Sequence, residues 1–417
     1  MAVKSLPPKS HMWINESSYI HITNQPLASP TSDFLKRVHA CVAMLQIDDP
    51  RYNIKIYGQF MAEIPSRMGH NPALDDAANA LANAFPYLHT RKFPSHVLYL
   101  HNQSLRSLRS CLDNPVQAQT SHTLCAIWLI VICQNWIGVH GQYPNHGRAM
   151  TQIMNAAVDR KWETTFEAGL ITSISAYILY ESITHPDIAL DTRHFERASA
   201  SLKCNGLGSG KIPAEMINLR HIARISTFMR YPDIHHDEIV LIYQRLYQAI
   251  DSMIPYVEST RSSIDFSRCS ITYDELAPFL TAQAGCNMII SLALILNGLQ
   301  QSFGDKDPSL SQQAVFLCDR IASSIESATC YRPLGSSYAP VCLIATWPVA
   351  SDPITRRRIE ALMMQYEQDL NGSRMMGCSL WIRSIFTGLN ARMVDGASRE
   401  IYDPAAFGMQ KEACIIV

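Results

Sequence analysis

The sequence is short of charge and has no excess of either sign: Lys and Arg number 35, Asp and Glu 36, and charged residues make up only 17% of the chain. A nucleic-acid surface needs a clustered basic footprint, and a net charge of -1 offers none. The 12 cysteines (Cys41, Cys111, Cys125, Cys133, Cys204, Cys269, Cys286, Cys318, Cys330, Cys342, Cys378 and Cys414) include no pair at two-residue spacing. A zinc knuckle, whose ligands must converge tetrahedrally, is therefore not expected from local sequence. The cysteines read as reduced, mostly buried thiols of an intracellular protein. No apolar stretch reaches the roughly 20 residues of a membrane span. The longest, Leu124 to Cys133 and Met288 to Leu296, read as buried core helices, and no membrane association is expected. Met1 to Pro8 has no apolar segment of the secretory kind. Alternating runs joined by Asn-Gly or Asp-Gly turns are missing, which argues against sheet. No nucleophile elbow, metalloprotease helix or Rossmann glycine set occurs, so no catalytic, cofactor-binding or metal-ligating residue is assigned.

Helical periodicity fills the space those absences leave. An apolar fraction of 47% suffices for a sizeable core. Asp352 followed by Pro353 is an N-cap with proline at the first helical position. Ile359, Leu362, Met363, Tyr366 and Leu370 then form one stripe, ended by Asn371 and Gly372. A second helix starts near Ser309 to Ser311 and carries Ala314, Leu317, Cys318, Ile321 and Ile325 on one side. A third, opened by Asp237, carries Ile239, Ile242, Tyr243, Leu246, Ile250 and Ile254. Asn205 to Gly210 and Ser262 to Ser270 read as loops. The expected organisation is all-α: a polar leader over 1–33, one large multi-helix domain over 34–394, and a tail over 395–417 without periodicity.

Several motifs invite chemistry and are better explained without it. Asn205 to Lys211 misses the first glycine and the final Ser or Thr of a phosphate loop. Asp75, Asp76 and Asn79 suggest a magnesium box, but no second acidic motif accompanies them, and carboxylates suit a helix start. His235 and His236 precede Asp237, which is expected to cap the next helix while the histidines are solvated. His140 and His146 flank a turn beside Trp136 and read as structural. Arg356, Arg357 and Arg358 fall short of a basic import patch, and Lys36, Arg37 and Arg106 to Arg109 read as an ordinary polar face. Cys414 to Val417 has the form of a prenylation signal without its usual last residue or a basic run upstream.

Three stretches together are similar to the regulatory domain of fungal zinc-cluster transcription factors. The first runs from Glu63 to Pro65, through Pro72, Ala73, Leu74, Asp75 and Ala78, to Ala84. The second runs from Tyr99 to Met150 and includes Ser121 to Ala126, Trp136, His140 and Gly147 to Met150. The third runs from Pro340 to Gly372 and includes Ser351 to Pro353 and Arg356 to Arg358. They follow the family's order and span most of the chain, although the block after Trp136 is altered. The six-cysteine DNA-binding head of that family has no counterpart, because the first cysteine, Cys41, already lies in the helical region.

What the resemblance implies is an all-α nuclear regulator (with the cytoplasm as its other compartment) of a fungal secondary-metabolite gene cluster, of the trichothecene type. It would act through protein partners, the transcription machinery or a DNA-binding factor, and through a small-molecule effector pocket, without direct reading of DNA and without a cofactor. The alternative is the same scaffold turned to non-redox biosynthetic catalysis: a cyclase, dehydratase or cycloaddition catalyst.

Overall fold

A computed structural model describes residues 32–138, 146–157, 162, 164–184, 188, 222–267, 271–304, 307–369 and 375–395. Among them are fourteen α-helices and no strand. The first half holds α1 (Asp33–Leu45), α2 (Ile64–Arg67), α3 (Pro72–Ala84), α4 (Ser95–Leu112), α5 (Ser121–Ile137), α6 (His146–Ala157) and α7 (Thr165–Thr184). The second holds α8 (Ile225–Arg230), α9 (His236–Ser262), α10 (Tyr273–Ser302), α11 (Pro308–Ala328), α12 (Ala339–Thr346), α13 (Pro353–Glu367) and α14 (Met375–Asp395). The protein is all-α, as expected.

Two apolar cores organise these helices. The first surrounds α3 and α5, which pack on each other and on α4, with α1 against α3 and α6 against α5. Helix α5 is apolar on every side, the pattern of a helix enclosed by protein. Thr120 opens it, its Oγ1 accepting a hydrogen bond from the Thr123 backbone at 3.2 Å. Gly138 closes it at φ 74°, a left-handed conformation that costs a side-chain-bearing residue roughly 1 kcal/mol or more. The second core surrounds α10, against which α9, α11, α12 and α14 pack.

Helix α10 is long and apolar enough to cross a membrane by length and composition, but 72% of that apolar stretch is buried within the protein. Two of its buried asparagines are bonded to neighbouring helices. Asn297 Nδ2 donates to Tyr243 Oη at 2.9 Å and to the Leu310 carbonyl at 3.1 Å. Asn287 Nδ2 donates to Ser324 Oγ at 2.9 Å. Such pairing removes the cost, about 1–3 kcal/mol per group, of leaving a polar atom unsatisfied in a core.

The two cores meet along α7. Phe166, Leu170, Ile174 and Ile178 belong to the first, and Leu179, Tyr180 and Ile183 to the second. Tyr180 Oη lies 2.8 Å from Ser291 Oγ and donates to the Met288 carbonyl at 3.1 Å, tying α7 to α10. A second seam is made by irregular chain. The Leu334 amide donates to the Arg51 carbonyl at 3.0 Å, and Gly335 lies so close to Pro50 that a Cβ would sit 2.6 Å from its carbonyl oxygen. The seam is thus bonded, not merely apposed.

The periodic stripes fall where expected. Ile359, Leu362, Met363 and Tyr366 are buried on α13, and Asp352 caps that helix by accepting from the Thr355 amide at 2.7 Å. Leu370, Asn371 and Gly372 lie outside the described residues. Ala314, Leu317, Cys318, Ile321 and Ile325 are buried on α11, and Ile239, Ile242, Tyr243, Leu246 and Ile250 on α9. Two readings change. Helix α9 starts at His236, so Asp237 sits inside its first turn instead of capping it. Cys378 is disulfide-bonded, whereas Cys41, Cys111, Cys125, Cys133, Cys286, Cys318, Cys330 and Cys342 are free.

Candidate functional site

The seam encloses a cavity with about 20 Å³ of room, lined by residues far apart in sequence. The last turn of α5 supplies Asn135 and Trp136. The segment before α12 supplies Pro333, Leu334 and Ser337, and the end of α13 supplies Tyr366 and, just beyond it, Asp369. Tyr57 and Arg91 come from short segments flanking α2 and α3. The aromatic side chains are held from behind. Trp136 Nε1 donates to Tyr57 Oη at 3.3 Å, their rings 6.4 Å apart, and burial pushes the Tyr57 phenol up to about 12. Tyr366 Oη donates to Ser336 Oγ at 3.0 Å.

Charge at the cavity is unequally shared. Arg332 Nε donates to Asp369 Oδ2 at 2.5 Å, and its guanidinium lies 5.1 Å from the Tyr366 ring centre. Arg91 reaches the same carboxylate only at 3.4 Å, too long for a strong charge-assisted hydrogen bond. Burial lowers the Arg91 pKa from its ordinary value, opposed chiefly by Asp369. Among the described residues Arg91 is also the one non-glycine residue with positive φ, 56°, a conformation that costs on the order of 1 kcal/mol and that the surroundings must hold. Asn135 is 3% exposed, and its Nδ2 has no hydrogen-bond partner among the protein atoms. The cavity therefore presents a desolvated cation and an unused amide donor together.

A second polar group lies inside the first core. Tyr177 Oη donates to Glu181 Oε1 at 2.9 Å, and burial raises the Glu181 carboxyl to about 7. Gly147 admits that carboxylate, since a Cβ there would stand 2.7 Å from Glu181 Oε2. Buried His101 and half-buried His146 are both pushed down to about 4 by desolvation, and His146 lowers His101 further. An open trough of about 490 Å³ lies between the end of α10 (Gln301, Ser302), Val349 and α14 (Arg383, Phe386, Asn390).

The motifs singled out in the sequence resolve into structural roles. Asp76 accepts from Arg37 at 2.8 Å, Gln103 at 3.2 Å and Ser107 at 2.5 Å, joining α1, α3 and α4. Asp75 accepts from the Gly69 amide at 2.8 Å. Both carboxylates are thus engaged, and no group of His, Cys, Asp and Glu suited to a metal occurs among the described residues. His235 and His236 are half-buried instead of solvated. His235 sits against Phe228 and Glu238, and His236 packs edge-on to Phe303 at 4.5 Å. Arg356, Arg357 and Arg358 do not act together. Arg356 lies over Trp347, Arg357 is exposed, and Arg358 binds Asp319, Glu326 and Ser323 on α11. Lys36 pairs with Asp33. His140, Asn205 to Lys211 and Cys414 to Val417 lie outside the described residues.

None of the cavity-lining polar residues stands out in the sequence. Arg91, Asn135 and Asp369 become neighbours only through the packing of α5 and α13, and no local spacing announces that. Fold and site define an all-α protein with a charged cavity between two cores. No family model matches the chain, and no curated protein or solved structure does either.

Proposed function

We propose that the protein regulates transcription of a fungal secondary-metabolite gene cluster, acting in the nucleus through protein partners and an effector cavity. The observation that carries this reading is a convergence. Asn135 and Trp136, from the second of the stretches similar to the fungal regulatory domain, line the seam cavity with Pro340, Tyr366 and Asp369 from the third. Stretches that resemble one family thus cooperate in space at a place suited to a ligand. A small molecule bound between two helical cores stabilises whichever arrangement of the cores it fits better, and this is how occupancy becomes a signal to partners. In this reading base recognition is supplied by a partner's DNA-binding element.

A second reading, a non-redox biosynthetic catalyst, draws on Glu181. A buried carboxyl raised to about 7 is in the range suited to general acid–base work. Deleting the gene separates the two. A regulator's loss lowers the transcripts of several neighbouring genes together. Unchanged transcripts with accumulation of one intermediate reject the regulator and favour the catalyst.

A further inference from the structure

We propose that the seam cavity binds a small organic monoanion through its carboxylate group, held between the Arg91 guanidinium and the Asn135 side-chain amide. This rests on the effector-cavity reading above and gives that effector a chemical class. Two guanidiniums face one carboxylate here, and that carboxylate is taken at 2.5 Å by Arg332, leaving Arg91 at 3.4 Å. The cavity lining carries one cation, Arg91, and one carboxylate, Asp369, and Arg332 binds that carboxylate from beside it, so the three together hold one positive charge in excess. A half-buried cation at that distance from a shared partner gains little of what a close carboxylate would give it. The Asn135 amide donor, buried and unused, adds a hydrogen bond for a second carboxylate oxygen.

Size restricts the class further. About 20 Å³ is little more than the 10–15 Å³ or so that one water needs. The enclosed part of the ligand is therefore a head group and not a ring system. A cation is disfavoured by the guanidiniums, and a neutral amide of the same shape leaves the Arg91 charge as it was. The side chains of Trp136, Leu88, Pro333 and Pro340 provide apolar surface for a short carbon chain next to the head.

The test uses the purified full-length chain at constant ionic strength, titrated with acetate and propionate, with acetamide and chloride as controls. Thermal midpoint and isothermal calorimetry are the readouts. Saturable binding of acetate and propionate is expected, at least tenfold tighter than acetamide or chloride. Asn135→Asp, which places a carboxylate where the ligand's would lie, should weaken propionate at least tenfold, as should Arg91→Lys, which keeps charge but loses the fork. Circular dichroism confirms that each variant is folded, and Asn135→Leu replaces either variant that is not. Equal response to acetate, acetamide and chloride overturns the proposal, as does propionate binding unchanged in the variants. If binding fails while gene deletion still lowers the cluster transcripts, the ligand class is wrong and the regulator stands. If binding holds and the transcripts are unmoved, the reverse follows.

Discussion

Buried ionisable residues give this protein its sharpest residue-scale signatures. Glu181 keeps its proton to about pH 7 in the folded chain against an ordinary 4.5. The native state therefore holds a proton that the unfolded chain has already released between those values. Stability from neutral Glu181 is complete below about pH 4.5 and is lost as pH rises through 7, a difference worth roughly 3 kcal/mol. Glu181→Gln should match the parent's stability at pH 4.5 and exceed it at pH 8 by about that amount, measured by urea denaturation. Equal stability at both pH values contradicts the assignment. His101 works in the opposite sense. Its folded value of about 4 lies below the ordinary 6.5, so its contribution is present above pH 6.5 and lost as pH falls through 4. His101→Gln should flatten the acid side of the stability profile over that window. Neither residue was legible as special in the sequence. Glu181 stands in an apolar run with ordinary neighbours, and its environment is made by Gly147 and Tyr177 only once α6 and α7 pack.

Helix ends and helix crossings set stability at the scale of elements, and here more was readable. Asp352 with Pro353 announces α13, whereas the Thr272 and Glu275 box that opens α10, each bonding the other's backbone amide, emerges only in the structure. Thr272→Ala should cost about 1 kcal/mol and Thr272→Ser much less, read from denaturation midpoints. The start of α9 was misplaced because His235 occupies the cap without a side-chain bond, so nothing in the side chains marks the boundary. Crossings were not readable at all. Gly298 lets the Phe386 ring of α14 lie directly on α10, where an added Cβ would come within 2.5 Å. Gly298→Ala should therefore destabilise by about 1–3 kcal/mol despite alanine's better helix propensity, and Phe386→Leu in the same chain should recover part of it. A Gly298→Ala protein as stable as the parent would mean the ring moves aside freely. The apolar stripes of α9, α11 and α13 were legible because one-sided burial imposes a period, whereas α5 and α10, buried nearly all round, carry no such period and showed only as apolar runs.

For the whole molecule, the all-α class followed from the sequence because missing strand alternation and abundant helical stripes agree. The division of the interior into two cores bridged by α7 did not, since a continuous helix that changes core at Ile178 and Leu179 carries no break in its pattern. The seam cavity depends on that division, and so does the proposed regulation. A ligand between the cores can shift their arrangement only by as much as it prefers one over the other. The proposal stands or falls on whether the chain works at promoters through a protein that reads the DNA. Chromatin immunoprecipitation of the tagged chain from cells expressing the gene cluster tests it most directly. Enrichment is expected at the promoters of the co-regulated genes; occupancy no higher there than at unrelated loci would rule the proposal out.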